Sequence, residues 1–244
     1  MNKILFFIAM SFMFFACKDK EPEETSTQAE EKKELDGEWI ALFDGSSAEG
    51  WRGFNQEGGL PDGWQVVDST LMSLGKGGDI GGDIVYAADT FAEFELSLEW
   101  KLSAQGNSGI FYHVVEGPEI ESPYFVAPEY QIIDQLNFPE KLEPWQSIGA
   151  DYAMYDPVYT ESQIRPIGEW NTSVIRFTKD KVTYVLNGNI TVEFVPWSED
   201  WEKRKAEGKW KDFPMYGTAK SGFIGLQDHG SPIWFRDIRI KKLM

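Results

Sequence analysis

From residue 37 onward, short runs of alternating apolar and polar residues are separated by clusters of Gly, Asn, Asp and Pro, and segments of helical period are almost absent. A period of two sends successive side chains to opposite faces of a strand, so each run predicts a strand with one packed face and one wet face. In 91–102, Phe94, Leu96, Leu98 and Trp100 share one face, and Glu93, Glu95, Ser97, Glu99 and Lys101 share the other. Further strands are predicted over 109–115, 129–134, 170–177, 181–186, 191–194, 222–227 and 233–241. Asn187-Gly188 joins two of these and accepts the positive φ of a type I′ hairpin turn. One stretch, near 198–207, breaks the pattern. It opens on Ser198 as N-cap, carries acids early and bases late, and meets Gly208, so it predicts a short helix. Many short strands and a single helix predict an all-β sandwich of jelly-roll type. No linker interrupts 37–244, which is expected to be one domain.

The first 36 residues follow different rules. Residues 1–16 hold one cation, Lys3, and then an apolar run from Ile4 to Phe15 broken only by Ser11. That run is too short to span a bilayer comfortably and has the layout of a secretory signal. It ends Phe14-Phe15-Ala16-Cys17, which resembles a bacterial lipobox. Cys17 is then expected to become the acylated N-terminus, holding the protein on a membrane of the cell envelope, facing the periplasm or the cell surface. Residues 17–36 contain no aromatic and carry eight acidic and four basic residues, so beyond the lipidated cysteine they predict a flexible acidic tether.

Composition narrows the function. With 23 basic against 40 acidic residues and a net charge of −17, the chain lacks the cationic surface that nucleic acid requires. A single cysteine cannot close an internal disulfide, and no Cys/His spacing suits a structural zinc site. There is no Gly-rich phosphate loop, no Gly-x-Ser-x-Gly elbow and no His-Glu-x-x-His pair, and only two histidines, His113 and His229.

What remains is a set of polar residues inside apolar strands. Alternation puts Glu129 and Gln131 on one face opposite Tyr130 and Ile132, His113 with Phe111 opposite Tyr112, and Gln227 opposite Leu226. These donors and acceptors are placed where sugar hydroxyls can be met. Glu129 stands out because a carboxylate flanked by apolar strand residues is costly without a partner or a task. Trp100, Tyr112, Trp145 and Tyr152 are candidate platforms for sugar rings. Asn107 shapes a turn or touches substrate, Asp134 ends its strand or pairs with Arg165, and Asp228 forms a turn or ligates a metal.

The stretches 105–113, 129–134 and 225–230 occur in order with Leu42-Phe43-Asp44-Gly45, Gly50-Trp51, Gly168-Glu169-Trp170-Asn171 and Phe235-Arg236-Asp237-Ile238-Arg239-Ile240. Together, over about 39–243, they closely resemble the 3-keto-disaccharide hydrolase family. The resemblance implies a concanavalin-like jelly roll of two antiparallel sheets and a role in envelope or secreted glycan metabolism. His113 and Arg165 depart from the Arg and Lys of the family pattern.

In a glycoside oxidised at C3 the ketone acidifies the C2 proton. A base can remove it, the C1 substituent leaves by elimination, and water adds back. Glu129 or His113 is the expected base and His229 the acid, with Gln131, Asn107 and Gln227 on hydroxyls or the ketone. No cofactor is required by the sequence, although a divalent ion held by Glu129, Asp134 or Asp228 would also polarise the ketone. Two other readings compete. One is a conventional glycoside hydrolase using Glu95 and Glu99; the other is a non-catalytic, glycan-binding surface lipoprotein.

Overall fold

The computed structural model describes residues 37–77 and 82–243. The signal-like segment 1–16, Cys17 and the tether after it lie outside the described residues. The strands are β1 (Ile40–Phe43), β2 (Trp51–Gly53), β3 (Trp64–Val67), β4 (Thr70–Leu74), β5 (Ile84–Phe91), β6 (Phe94–Leu102), β7 (Asn107–Val114), β8 (Glu129–Ile133), β9 (Asn171–Phe177), β10 (Val182–Leu186), β11 (Asn189–Phe194), β12 (Gly222–Leu226) and β13 (Pro232–Lys242). Helix α1 (Glu199–Glu207) is the one α-helix among the described residues.

The strands form two antiparallel sheets. The larger runs β11-β10-β9-β6-β13-β4-β3, with β1 also paired to β13, and the smaller runs β2-β5-β12-β7-β8. This is the two-sheet jelly roll the alternation predicts. The apolar face of β6 is buried, with Phe94, Leu96, Leu98 and Trp100 each 2% exposed or less. It packs in one core with Tyr112, Tyr130 and Ile132 of the smaller sheet. Each such side chain contributes about 1.5–3 kcal/mol by leaving water.

The opposite face of β6 is closed by charge pairing with its neighbours. Glu95 meets Arg176 of β9 at 2.6 Å, and Glu99 meets Arg236 of β13 at 2.6 Å. These carboxylates brace adjacent strands and line none of the cavities described below.

Turn and cap residues explicit in the sequence take the conformations they favour. Asn187 and Gly188 take φ of +50° and +82° between β10 and β11, as a type I′ turn requires. Ser198 accepts the Trp201 N–H on Oγ at 3.2 Å, and α1 stops at Gly208, whose N–H returns to the Arg204 carbonyl. The hairpin of β3 and β4 turns instead on Asp68 and Ser69, with φ of +47° and +57°. It carries no glycine and so none of the usual sequence signal.

Candidate active site

The site is built on the outer face of the smaller sheet. Strands β7 and β8 pair antiparallel, with Gly109 opposite Gln131 and Phe111 opposite Glu129. The period of two sends Tyr130 inward, where its hydroxyl accepts from Ser173. Glu129 and Gln131 therefore point outward with Asn107. Together with Gln227, which follows β12, these residues line a cavity of about 350 Å³ walled by Tyr124, Tyr152, Lys209 and Phe213, with exposed His229 at its edge.

Glu129 is 4% exposed. Burial pushes its carboxyl up to about 8; the charges of Asp83 and Asp151 add to that, while Lys209 pulls the other way. A group held that high is a stronger base than an exposed glutamate. Gly109 makes room for it, because a Cβ there would stand 2.2 Å from Glu129 Oε1. Gly109→Ala is expected to displace the carboxyl and lower turnover by about 10²-fold, with little change in melting temperature because a movable side-chain end gives way. Steady-state kinetics alongside thermal unfolding check this.

Lys209 reaches the cavity from the turn after α1. Its ammonium lies 4.2 Å from the Tyr152 ring centre and 4.8 Å from that of Trp210. Burial lowers its pKa and Glu129 raises it. The aromatic rings hold the cation by their faces, leaving it able to meet a developing negative oxygen. Gln131 Nε2 makes only long bonds, 3.4 Å to Asn107 Oδ1 and 3.3 Å to the Gln146 carbonyl, so substrate oxygens can compete for it.

The structure separates the remaining sequence candidates. His113 is not in this cavity. Tyr112 and His113 form a β-bulge against β12, where Phe111 pairs with Gly225 and Val114 with Phe223, and His113 takes φ +55°. The extra residue breaks the alternation. The imidazole turns into the core among Phe94, Phe177 and Trp197, and its Nε2–H donates to the Ala92 carbonyl at 2.9 Å. Burial lowers its pKa to about 4, so it stays neutral and structural.

Trp100 is likewise core, donating from Nε1 to Ser173 Oγ at 2.9 Å. Asp134 caps the loop after β8, accepting N–H groups of Gln105 and Asn137. It lies at the other end of β8 from Glu129, on a separate cavity of about 190 Å³ shared with Trp100 and Arg165. Tyr112 is fully buried, and Trp145 packs edge-on against Tyr152 outside the Glu129 cavity. Tyr152, Asn107, Gln131, Gln227 and His229 do come together with Glu129.

Asp228 accepts the Gly230 N–H on Oδ1 and gives its own N–H to Asp83 Oδ1. It lies on an adjoining cavity with Asp83. Among the described residues no group of three or more His, Cys, Asp or Glu side chains is arranged to hold a metal ion. Positive charge in the Glu129 cavity comes from Lys209. Lys209, Tyr124, Phe213 and Asp83 were not singled out in the sequence. One of 23 basic residues carries no periodic signal, and Asp83 precedes a strand that the alternation did not announce.

The two-sheet jelly roll thus carries a polar, aromatic-walled cleft on one outer face. Residues 38–241 match the family described as the 3-keto-alpha-glucoside-1,2-lyase-like domain, and the chain belongs to that family. It is 34% identical over 229 residues, 84% of this chain and 78% of the relative, to a 3-keto-disaccharide hydrolase of Bacteroides thetaiotaomicron. A crystal structure of "a putative glycosyl hydrolase" from Parabacteroides distasonis superposes with TM-score 0.78 at 40% identity, covering 88% of this chain and 97% of that one. A galectin-like fold from Bacillus subtilis aligns with TM-score 0.50 at 15% identity, covering 86% of this chain and 98% of that one, and supports the fold alone.

Proposed function

We propose that the protein cleaves 3-keto-glycosides, 3-keto-disaccharides among them, by removal of the C2 proton, elimination of the C1 substituent and rehydration. Glu129 is the base. The observation that carries this is a buried carboxyl, held up at about 8, lining a sugar-sized polar cavity together with Lys209. Burial outweighs the pull of Lys209, so the carboxyl keeps a high affinity for a proton. Lys209, with Gln131 and Asn107, is placed for the oxygen at C3 as it gains charge, which is where fixed positive groups act most strongly on the barrier. Tyr124, Tyr152 and Phe213 offer apolar ring faces to the sugar.

The proposal extends to the cell. Acylation of Cys17 anchors the enzyme at the envelope, facing the periplasm or the surface, and the tether leaves the domain free to take up glycan fragments. The family match and the relative's name support the sugar class; the lipobox-like sequence supports the anchor.

The test incubates the full chain with a 3-keto-disaccharide and with its unoxidised parent, with and without chelator, following released monosaccharide and C2 exchange in heavy water. Cleavage of the keto sugar alone, with solvent deuterium at C2, is expected. Cleavage of the parent at a comparable rate, or release without C2 exchange, defeats the elimination route, and binding of both sugars without cleavage of either points to a glycan-binding protein.

A further inference from the structure

Beside the Glu129 cavity lies a second chamber of about 250 Å³, with Asp83, Asp228 and Glu121 on its walls. The two share Tyr124, Gln227 and His229, so one molecule of two linked sugars can occupy both. The backbone between them is tied down by hydrogen bonds. The Gln227 N–H donates to the Gly109 carbonyl at 3.0 Å, beneath the Glu129 carboxyl, and the next N–H along, that of Asp228, donates to Asp83 Oδ1 at 2.9 Å.

Among the described residues, two oxygens here have no partner: Oε1 of Gln227, 7% exposed, and Oδ2 of Asp228, 5% exposed. Buried acceptors left open in a native fold signal a missing partner, such as a water or the hydroxyl of a ligand. A chamber with unpartnered acceptors suits a hydroxyl-rich molecule, and it adjoins the chamber where the reacting sugar sits.

We propose that this second chamber receives the leaving sugar and that Asp83 is the catalytic acid, giving its carboxyl proton to the glycosidic oxygen as the C1–O bond breaks. The assignment rests on the 3-keto-glycoside reading of the Glu129 site. In the step, the Glu129 carboxylate takes the C2 proton, and the C2–H electron pair first enters an enolate whose charge rests on the C3 oxygen beside Lys209 and then becomes the C1=C2 double bond. The C1–O pair goes to the leaving oxygen, which takes the proton of Asp83. The products are an unsaturated 3-keto sugar and the free alcohol, with Glu129 protonated and Asp83 ionised. One proton exchanged with solvent at each carboxyl restores the enzyme. No oxidant or reductant is needed, and water adding across the double bond completes net hydrolysis.

Asp83 suits the role for a second reason. Burial pushes its carboxyl up to about 7, opposed by the Asp228 N–H and reinforced by the Asp228 charge, so it keeps a proton to give near neutral pH. His229, the acid expected from the sequence, is exposed at the junction of the two chambers, and among the described residues nothing fixes its ring.

Leaving groups that differ in acidity separate these roles. The full-length enzyme and Asp83→Asn are compared on a 3-keto-disaccharide and on a 3-keto-glucoside of 4-nitrophenol, whose anion leaves without a proton. The variant is expected to lose about 10²-fold or more in kcat on the disaccharide, to stay within about threefold on the nitrophenyl substrate, and to retain C2 exchange. Equal loss on both substrates marks Asp83 as structural and overturns the assignment, as does no loss on either. A His229→Ala enzyme that reproduces the selective loss gives the acid to His229 instead.

A measurement on the unaltered enzyme guards against a misfolded variant. With Glu129 held up at about 8 and Asp83 at about 7, the productive pair, Glu129 ionised and Asp83 protonated, is most populated between those values, so activity on the disaccharide should peak there and fall on the alkaline side, while activity on the nitrophenyl substrate, which needs only Glu129 ionised, should rise to a plateau. The titratable groups facing Asp83 are Asp228 beside it, Glu121, Tyr124 and His229 on the walls, and Glu129 beyond Gln227. High-pH limbs that coincide for both substrates reject the acid role. If the unaltered enzyme cleaves neither keto substrate, the 3-keto-glycoside reading itself fails and takes this assignment with it; if it cleaves both and Asp83→Asn changes nothing, only the assignment fails.

Discussion

Replacing Glu129 with Gln is expected to lower kcat on a 3-keto-disaccharide by on the order of 10³-fold and to abolish C2 deuterium exchange, while sugar affinity is kept. The amide fills the same space above Gly109 and removes only the capacity to accept a proton. Undiminished turnover rejects the role of Glu129, and lost turnover with retained affinity excludes a protein that only binds. The pH profile has a definite sign. Glu129 must be ionised to act, and its carboxyl stands at about 8. kcat/KM therefore rises with pH on the acid side, approaching tenfold per unit well below that value.

The same shift is a statement about stability. The native carboxyl binds its proton more tightly than an unfolded glutamate, which titrates near 4.5. Native stability from this group is fully present below about 4.5 and is lost as pH rises toward about 8. Glu129→Gln should lose that dependence and melt higher than the unaltered protein above pH 8. Thermal unfolding across pH 5 to 9 checks it, and parallel curves for the two proteins reject the shift. The site is thus held at a cost to the fold, in exchange for a base strong enough for carbon acid chemistry.

How far this site could be read from sequence depends on how each residue is placed. Glu129 and Gln131 were legible because β8 keeps strict alternation, and the β6 core face was legible for the same reason. His113 was misplaced by a single inserted residue. A bulge leaves no trace in hydrophobic pattern, although Gly222 is its footprint in the sequence, since a Cβ there would stand 2.4 Å from the His113 carbonyl carbon. The N-terminal strands escaped for a different reason. β1 and β2 are four and three residues long, too short to establish a period, and Asp68-Ser69 turns without glycine. Lys209 and Asp83 come from a loop turn and a strand start, and only the tertiary fold brings them near Glu129. Jelly rolls pair residues distant in sequence, so their strands can be read locally while their sites depend on the loops between them.

Trp210 ties that loop architecture to the catalytic chamber, and its removal should carry a large cost to stability. The indole is 1% exposed and stacks on Tyr216 at 4.1 Å between ring centres. It meets Phe213 and Tyr152 edge-on, and its Nε1–H donates to the Tyr152 carbonyl at 3.2 Å. Trp210→Ala leaves a cavity beneath the turn that presents Lys209 and is expected to cost about 3–5 kcal/mol. At roughly 2–4 °C per kcal/mol for a domain of this size, the melting temperature should fall by about 10 °C. Below the new melting point kcat/KM should also fall, because Lys209 loses one of its supporting rings and Tyr152 its backing. Trp210→Phe restores part of the stacking and forgoes the hydrogen bond, so it should recover most of the stability, short by about 1 kcal/mol. Activity that falls in step with stability across both variants shows that the α1 turn is one packed unit with the chamber wall. Full activity in a destabilised Trp210→Ala enzyme shows instead that Lys209 holds its place without Trp210 and separates the wall from the core beneath it.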